Sequence, residues 1–392
     1  MDGFAFARTP HIRFGAGRFS EVPDIVRSFG ETVLLVTGKS FERSERFAVL
    51  ADAFRERSIT WYVFPVSGEP SPDLVDRASD TFRNRGVTAV FAVGGGSVID
   101  AGKAISAMLL QRGSVFDYLE GVGTGKAHDG RKVPFIAIPT TAGTGSEATR
   151  NSVLSRIGPG GFKKSIRHDA FVPDYAVVDP ELALTCPPEV TAACGMDAFT
   201  QLLEAYVSTK ASPMTDPLAL SGMERVSDAL VPAYTDGARS VEARAGLAYG
   251  ALMSGIALAN TGLGVVHGLA SAIGGLFPIP HGVVCGVLLE PATRVTINLL
   301  RGLGPDGGSA LEKYARVGCF IAGSPDADRD RGCELLLDKL AEWRDTLRIP
   351  KLSDYGVRKG DIDAIIGKAG SGNNPVRVGK EGMVEMLGNV IV

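Results

Sequence analysis

The sequence predicts an α/β domain built on a parallel sheet, followed by an all-helical domain. Over the first half of the chain, short apolar runs rich in β-branched residues alternate with helical stretches. Continuous apolar strands separated by helices are typical of a parallel sheet covered on both faces. Beyond about residue 184, long stretches rich in Ala, Leu and Gly replace the strand-like runs. These two patterns together indicate the fold class.

The predicted strands are uncharged, apolar runs at residues 32–37, 87–93, 133–139 and 175–178. We place the boundary between the domains near Pro187 and Pro188, because two consecutive prolines are unfavourable inside a helix. The predicted domains therefore cover residues 1–184 and 185–392.

Composition and charge argue against several classes of protein. The 392 residues carry a formal net charge of −3, and no stripe of Lys and Arg indicates a nucleic-acid-binding surface. The five cysteines include no Cys-x-x-Cys pair, which argues against a zinc knuckle or a disulfide framework. The N-terminal residues show neither a basic nor an apolar signal region, so we expect a cytoplasmic protein.

The segment from residue 245 to residue 289 contains no charged side chain and is long enough to hold a membrane helix. Several Gly and Pro residues interrupt it, and it contains Asn260, His267 and His281. Because a membrane helix requires a continuous apolar run, we predict a buried pair of helices joined by a Gly/Pro turn. We therefore expect no association with a membrane.

Two loops that follow predicted strands favour a nucleotide site. Residues 94–97 are three glycines and a serine that open a helix, an arrangement that lets backbone N–H groups approach a phosphate. Residues 139–147 are rich in Thr, Ser and Gly, and their hydroxyl groups suit hydrogen bonds to a nucleotide. Either loop alone is compatible with an ordinary turn. Together they would meet at the edge of the sheet where ligands bind.

Candidate metal ligands lie in the predicted helical domain. Asp197 and Gln201 are four residues apart and share one helix face. His267 and His281 flank a Gly/Pro turn in the uncharged segment. A buried histidine is more often a hydrogen-bonded core residue than a ligand. The aspartate in the same domain nevertheless favours a divalent transition metal, which imidazole and carboxylate groups suit.

In combination, these motifs resemble the iron-containing (group III) alcohol dehydrogenases. The two loops, residues 195–208 and residues 265–282 occur in the order and spacing of that family, and the resemblance covers about residues 6–289. It implies an α/β dinucleotide-binding domain followed by an all-helical metal domain, a fold shared with dehydroquinate synthase. The active site is then expected in the cleft between the two domains.

The resemblance also assigns cofactor-binding residues. Those expected to hold the pyrophosphate or other parts of the cofactor are Gly94, Gly95, Gly96, Ser97, Asp100, Thr140, Thr141, Thr144 and Lys163, with Lys164 as an alternative to Lys163. Gly38 occupies a position where an Asp in the family disfavours the 2′-phosphate of NADP. Because Lys39 and Ser40 follow it, we predict that NADP(H) is accepted.

The same resemblance places Asp197, His267 and His281 on three of the four metal-ligand positions. The fourth position, usually a histidine, is Gln201, and the second histidine of the family's His-Gly-x-x-His stretch is Ser271. A Gln amide oxygen is a harder and weaker ligand than imidazole for iron or zinc. The resemblance therefore implies a nicotinamide cofactor, while the sequence leaves open whether a divalent metal is bound and whether that metal is iron or zinc.

We predict an NAD(P)-dependent alcohol dehydrogenase that transfers a hydride between the cofactor and a small alcohol, aldehyde or ketone. If a metal is bound, it polarises the substrate oxygen. Otherwise His267 or His281 does so, oriented by Asp197. The alternatives from other classes are a lyase resembling dehydroquinate synthase and a non-catalytic nucleotide-binding protein. We also expect a homo-oligomer, most simply a dimer.

Overall fold

The structure is a computed structural model that describes residues 3–391, and its architecture confirms the predicted fold class. Its strands are β1 (His11–Phe14), β2 (Thr32–Thr37), β3 (Thr60–Pro65), β4 (Ala89–Gly94), β5 (Phe135–Pro139), β6 (Asn151–Arg156), β7 (Phe162–Arg167) and β8 (Tyr175–Val178). The helices among them are α1 (Val22–Arg27), α2 (Lys39–Glu42), α3 (Glu45–Glu56), α4 (Pro72–Phe82) and α5 (Gly96–Met108).

Six of the strands form one parallel sheet in the order β1-β8-β5-β4-β2-β3. Alternate residues of its central strands pack into apolar clusters on opposite faces, as Leu34 and Leu35 of β2 do. This explains why the strands read as continuous apolar runs. In the register of the sheet, Gly94 of β4 lies opposite Pro139 of β5. The loops after these two strands therefore start side by side.

The structure contains strands that the sequence analysis did not predict. β1 and β3 are the edge strands of the sheet and are only partly buried, so neither reads as a continuous apolar run. β6 and β7 form a separate antiparallel hairpin. The basic residues of the segment 162–168 therefore lie mostly in β7.

Among the described residues beyond β8, all the regular elements are helices, joined by loops. The helices are α6 (Pro188–Val207), α7 (Thr215–Asp236), α8 (Val241–Thr261), α9 (Val265–Leu276), α10 (His281–Gly302), α11 (Gly308–Ile321), α12 (Arg329–Thr346), α13 (Ile362–Ile366) and α14 (Lys380–Gly388). α6 begins at Pro188, after an extended Pro187. The division of the chain into domains at residues 184 and 185 stays a prediction.

The uncharged segment contributes to three helices, α8, α9 and α10, where the sequence analysis predicted two. α8 and α9 meet at an angle of 99°, and Gly262 between them has a φ of +63°. α10 is long and apolar enough to cross a membrane, but 78% of its most apolar window is buried inside the protein. The turn between α9 and α10 brings His267 close to His281.

Candidate active site

A cleft of about 340 Å³ lies where the carboxyl edge of the sheet faces the helices. Its walls include the predicted site residues Gly96, Ser97, Asp100, Thr144, Lys163, Gln201, His267 and His281. An adjoining cavity is lined by the predicted residues Gly95, Thr141 and Asp197. The structure thus brings most of the predicted residues into one region. Those that line neither cavity are Gly38, Gly94 and Thr140.

The glycine-rich turn joins β4 to α5 at the edge of this cleft. α5 begins at Gly96 and has no side-chain cap. The first N–H groups of a helix have no partner within it, and the positive end of the helix favours an anion. Because Gly96 and Ser97 line the cleft, this end of α5 is placed to receive a phosphate group.

The three glycines of the turn have different roles. An added Cβ at Gly94 or Gly96 would lie 2.6 Å from side-chain atoms of neighbouring residues. A Cβ at Gly95 would lie 3.3 Å from the Thr141 hydroxyl oxygen, at the end of a small side chain. Packing therefore requires glycine at the first and third positions. At Gly95, the missing side chain leaves the backbone accessible to a ligand.

The threonine-rich loop is fixed on both sides. The Thr140 N–H donates a hydrogen bond of 2.9 Å to the carbonyl oxygen of Gly94. Gly145 has a φ of +59°, and its Cβ would lie 2.5 Å from the backbone nitrogen of Gly255 in α8. Only glycine permits this close approach of loop and helix. The structural role of Thr140 is thus to join the two loops through its backbone.

Asp100 and Lys103, one turn apart on α5, hold the threonine-rich loop against that helix. The Ser146 hydroxyl donates to the Asp100 carboxylate, and burial raises the pKa of Asp100. The Lys103 ammonium donates to the carbonyl oxygen of Ser146 at 2.7 Å and to the Thr149 hydroxyl at 2.8 Å. Burial lowers the pKa of Lys103 to about 8. The Lys103 ammonium is therefore used to hold the threonine-rich loop in place.

The structure distinguishes Lys163 from its neighbour Lys164. Lys163 of β7 lines the cleft, whereas Lys164 points to the other face of the hairpin and is exposed. The Lys163 ammonium donates to a Glu69 carboxylate oxygen at 2.9 Å. Glu69 lies in the loop after β3, an edge strand that was not predicted. Nothing in the sequence therefore indicated that Glu69 pairs with Lys163.

Gly38 follows β2, next to the strand that leads into the glycine-rich turn. Its backbone is extended, with φ −85° and ψ 157°, so any residue is tolerated. An added Cβ would meet only the Ser40 hydroxyl, at 4.0 Å. Lys39 and Ser40 are exposed. The position therefore has room for a side chain beside the predicted cofactor.

Four side chains at the base of the cleft converge on one point. Asp197 comes from α6, His267 from α9, and His281 and Cys285 from successive turns of α10. One donor atom from each lies within 4.8 Å of every other. The Asp197 Oδ1 atom is 3.4 Å from His267 Nε2 and 3.7 Å from His281 Nε2. The Cys285 Sγ atom is 3.7 Å from each of the same two nitrogens.

The ionisable groups of this cluster shift one another's pKa. Burial opposes ionisation of Asp197, but the two histidines lower its pKa to about 2. Burial likewise lowers the pKa of His281, to about 4. For His267 burial acts in the same direction, but Cys285, Asp197 and Glu204 outweigh it and raise the pKa well above its ordinary value. Without a bound cation, His267 is therefore the group that balances the buried carboxylates.

Glu204 orients His267 and was not identified from the sequence. Its carboxylate accepts from the N–H groups of Gly264 and Val266, at 2.9 and 2.7 Å. It also accepts the His267 Nδ1–H at 2.7 Å. This fixes the ring with Nε2 facing the cluster, as carboxylate partners of metal-binding histidines do. Its spacing could have identified it, because Glu204 follows Asp197 by two helical turns.

Gln201 lies one turn after Asp197 and lines the cleft. Its amide oxygen accepts a hydrogen bond of 3.2 Å from the Ser254 hydroxyl. Ser271, one turn after His267, is exposed and lines the same cleft. The assignment of Gln201 as a metal ligand stays a prediction. Cys285, which the sequence analysis did not single out, is the additional donor that the structure places in the cluster.

The residues of this cluster fit a divalent metal. Asp197 Oδ1 is buried and has no hydrogen-bond partner within residues 3–391. A buried polar atom left in this way is costly unless another group satisfies it. Carboxylate oxygen, imidazole nitrogen and thiolate sulfur are all established ligand types for zinc. The cluster therefore provides a set of metal ligands, and Glu204 supports one of them by accepting a hydrogen bond from His267.

Comparisons with known proteins give the same family for both halves of the chain. Residues 9–180 match the model described as iron-containing alcohol dehydrogenase. Residues 191–391 match the model described as Fe-containing alcohol dehydrogenase family, C-terminal. Among solved structures, 1,3-propanediol oxidoreductase is similar with a TM-score of 0.88 and 28% identity, covering 100% of both chains.

Two curated relatives align with nearly the whole chain. The NADPH-dependent butanol dehydrogenase of Clostridium saccharobutylicum is 33% identical over 390 residues, covering 96% of this chain and 95% of the relative. The NAD-dependent methanol dehydrogenase of Bacillus methanolicus is 34% identical over 363 residues, covering 91% and 90%. The chain belongs to the iron-containing alcohol dehydrogenase family and is an oxidoreductase that works with a nicotinamide cofactor.

Proposed function

We propose that this chain interconverts a small alcohol and the corresponding aldehyde or ketone, with NAD(P) as hydride carrier and a divalent metal at Asp197, His267 and His281. The observation that carries the proposal is that the glycine-rich turn and the metal-type cluster open into the same cleft. Ser97 of the turn and His281 of the cluster both line it. A cofactor phosphate held by the turn can therefore place its reactive end toward the cluster.

On the cofactor side, the N-terminal end of α5 binds the pyrophosphate through backbone N–H groups. Lys163 and Glu69 form an ion pair on the wall of the cleft. An ammonium donor beside a carboxylate acceptor suits the hydroxyl groups of a ribose. The two side chains are thereby positioned to orient the sugar between the phosphates and the cluster.

On the substrate side, the metal when bound polarises the alcohol or carbonyl oxygen, and the nicotinamide gives or takes the hydride. The chain's own contribution is orientation. Glu204 keeps the Nδ1–H of His267 engaged, so that Nε2 faces the cluster. Asp197 and Cys285 are buried, and a low-dielectric setting strengthens the electrostatic interactions of the cluster. The competing proposal, in which His267 acts without a metal, leaves Asp197 Oδ1 without a partner.

The size of the cleft favours a small substrate. Its volume of about 340 Å³ has to hold part of the cofactor as well. Its wall includes apolar Leu258 and Leu263 and polar Asn260 and Asn373. Such a wall suits a short aliphatic alcohol or aldehyde with one polar group. The butanol and methanol named for the two relatives above fall in this size range.

For the cofactor, we include NADP(H) in the proposal because Gly38 places no carboxylate beside the adenine ribose. One of the two relatives is named for NADPH and the other for NAD, so family membership alone does not decide between the two cofactors. The same proposal includes a homo-oligomer, whose size light scattering measures directly.

The test is a substrate screen on purified protein, beside elemental analysis of the same sample. A panel of short aldehydes and alcohols is assayed with NADH, NADPH, NAD and NADP. We expect steady cofactor turnover that falls when a chelator removes the metal and returns when metal is added. Cofactor binding without turnover of any substrate would favour a non-catalytic binder. Full turnover by metal-free protein would remove the metal from the proposal.

A further inference from the structure

We propose that Cys285 supplies the fourth protein ligand of the metal as a thiolate, in place of the side chain at position 201, and that the site prefers zinc to iron(II). This inference rests on the proposed function, because it assumes a metal held by Asp197, His267 and His281. The proposal assigns a function to a cysteine whose burial in α10 would otherwise indicate only a core residue.

The spacing of the donor atoms agrees with one tetrahedral centre. Zinc–nitrogen and zinc–oxygen bonds of about 2.0–2.1 Å and a zinc–sulfur bond of about 2.3 Å separate nitrogen from sulfur by about 3.6 Å. The Cys285 Sγ atom lies 3.7 Å from Nε2 of both His267 and His281. The same bond lengths separate oxygen from nitrogen by roughly 3.3 Å. Asp197 Oδ1 lies 3.4 and 3.7 Å from those nitrogens.

The helices explain why Cys285 reaches this point. His281 opens α10 and Cys285 follows four residues later, so both side chains project from one face of the helix. The Cys285 side chain is fully buried, with 0% exposure. It is therefore held in place by packing, and no movement of the backbone is needed to bring Sγ into the cluster.

The alternative ligand is less well suited. The Gln201 amide oxygen lies 3.2 Å from the Ser254 hydroxyl, and an amide carries no charge to offset a buried cation. A thiolate is anionic and soft, which shifts preference from iron(II) toward zinc. Asp197 and Cys285 would together neutralise a divalent ion in this buried position. The Cys285 sulfur is therefore the donor that makes the cluster prefer zinc to iron(II).

The decisive measurement is X-ray absorption on the unaltered protein loaded with zinc, which needs no variant to fold. We expect one sulfur atom at about 2.3 Å from zinc beside nitrogen and oxygen ligands. Protein loaded with cobalt(II) should show a thiolate-to-metal charge-transfer band in the near ultraviolet. That band should disappear in Cys285→Ala and persist in Cys333→Ala, a matched control because Cys333 is equally buried but bonds to Leu311 in another part of the molecule.

Affinity gives a second readout that does not depend on turnover. Chelator competition should show zinc bound at least about 100-fold more weakly by Cys285→Ala, since even outer partners of a metal site contribute 10–100-fold. Zinc bound stoichiometrically with only nitrogen and oxygen neighbours would overturn the cysteine assignment and leave the proposed function intact. Failure of the unaltered protein to bind zinc, cobalt(II) or iron(II) would overturn the cysteine assignment and would also remove the metal from the proposed function.

Discussion

Cofactor choice is predicted to depend on position 38, and Gly38→Asp tests this directly. The backbone there is extended and an added Cβ meets only Ser40, at 4.0 Å. The substitution should therefore leave the fold intact. It places a carboxylate after β2, beside the strand that ends in the glycine-rich turn. A 2′-phosphate bound at this edge would face a like charge, whereas a 2′-hydroxyl could donate to the new carboxylate.

The size of the effect follows from Coulomb's law. Two unit charges about 4 Å apart repel by roughly 1 kcal/mol in water and roughly 4 kcal/mol near a protein surface. Gly38 is half-buried and its neighbours Lys39 and Ser40 are exposed, so the effect should fall between these limits. We expect kcat/KM with NADPH to fall roughly 5- to 900-fold, while kcat/KM with NADH stays constant or rises.

The assay compares NADH and NADPH for the unaltered protein, Gly38→Asp and Gly38→Asn at two salt concentrations. Gly38→Asn is the matched control, because asparagine has the shape of aspartate without its charge. Since salt screens exposed charges, the selectivity of Gly38→Asp should weaken at the higher concentration. Equal losses in the two variants would show that shape decides. A strong preference of the unaltered protein for NADH would refute the reasoning.

Three further predictions concern the glycine-rich turn, the cluster and the core. Gly95→Val should abolish measurable cofactor binding in calorimetry while Gly95→Ala weakens it less, because the Cβ alone already lies 3.3 Å from the Thr141 hydroxyl; unchanged affinity in both would exclude the turn as phosphate site. Glu204→Gln should weaken metal binding about 10–100-fold, measured by chelator competition, because it removes the charge that holds His267 Nδ1–H; an unchanged metal affinity would mean that the orientation of the His267 ring does not depend on the charge of Glu204. Burial raises the pKa of Glu147 from 4.5 to about 7, so the folded state holds a proton there that the unfolded state has lost, and the free energy of unfolding should fall by up to about 3 kcal/mol between pH 4.5 and pH 7. Glu147→Gln should lack this part of the pH dependence in urea titrations, and parallel curves for the two proteins would contradict the assignment.

The sequence by itself determined the fold class and the parts of the site that follow buried strands. The central strands are apolar on both faces, and glycine or threonine residues follow them. The loops at residues 94–97 and 139–147 could therefore be predicted from the neighbouring sequence alone. The pairing of Asp197 with the position one turn later followed from helical periodicity. The edge strands β1 and β3 were missed because partial exposure removes the continuous apolar pattern.

Only the tertiary structure decided which side chains meet. Periodicity shows which face of an element is buried, but it carries no information about what lies opposite that face. Cys285 lies in the uncharged segment of residues 245–289 and looks like any core residue until α6, α9 and α10 are placed together around it. The same holds for Glu204, which joins His267 across helices, and for Lys163, whose partner Glu69 lies 94 residues away in the chain. Contacts between distant segments are set by the packing of whole elements, and that packing is a property of the folded chain.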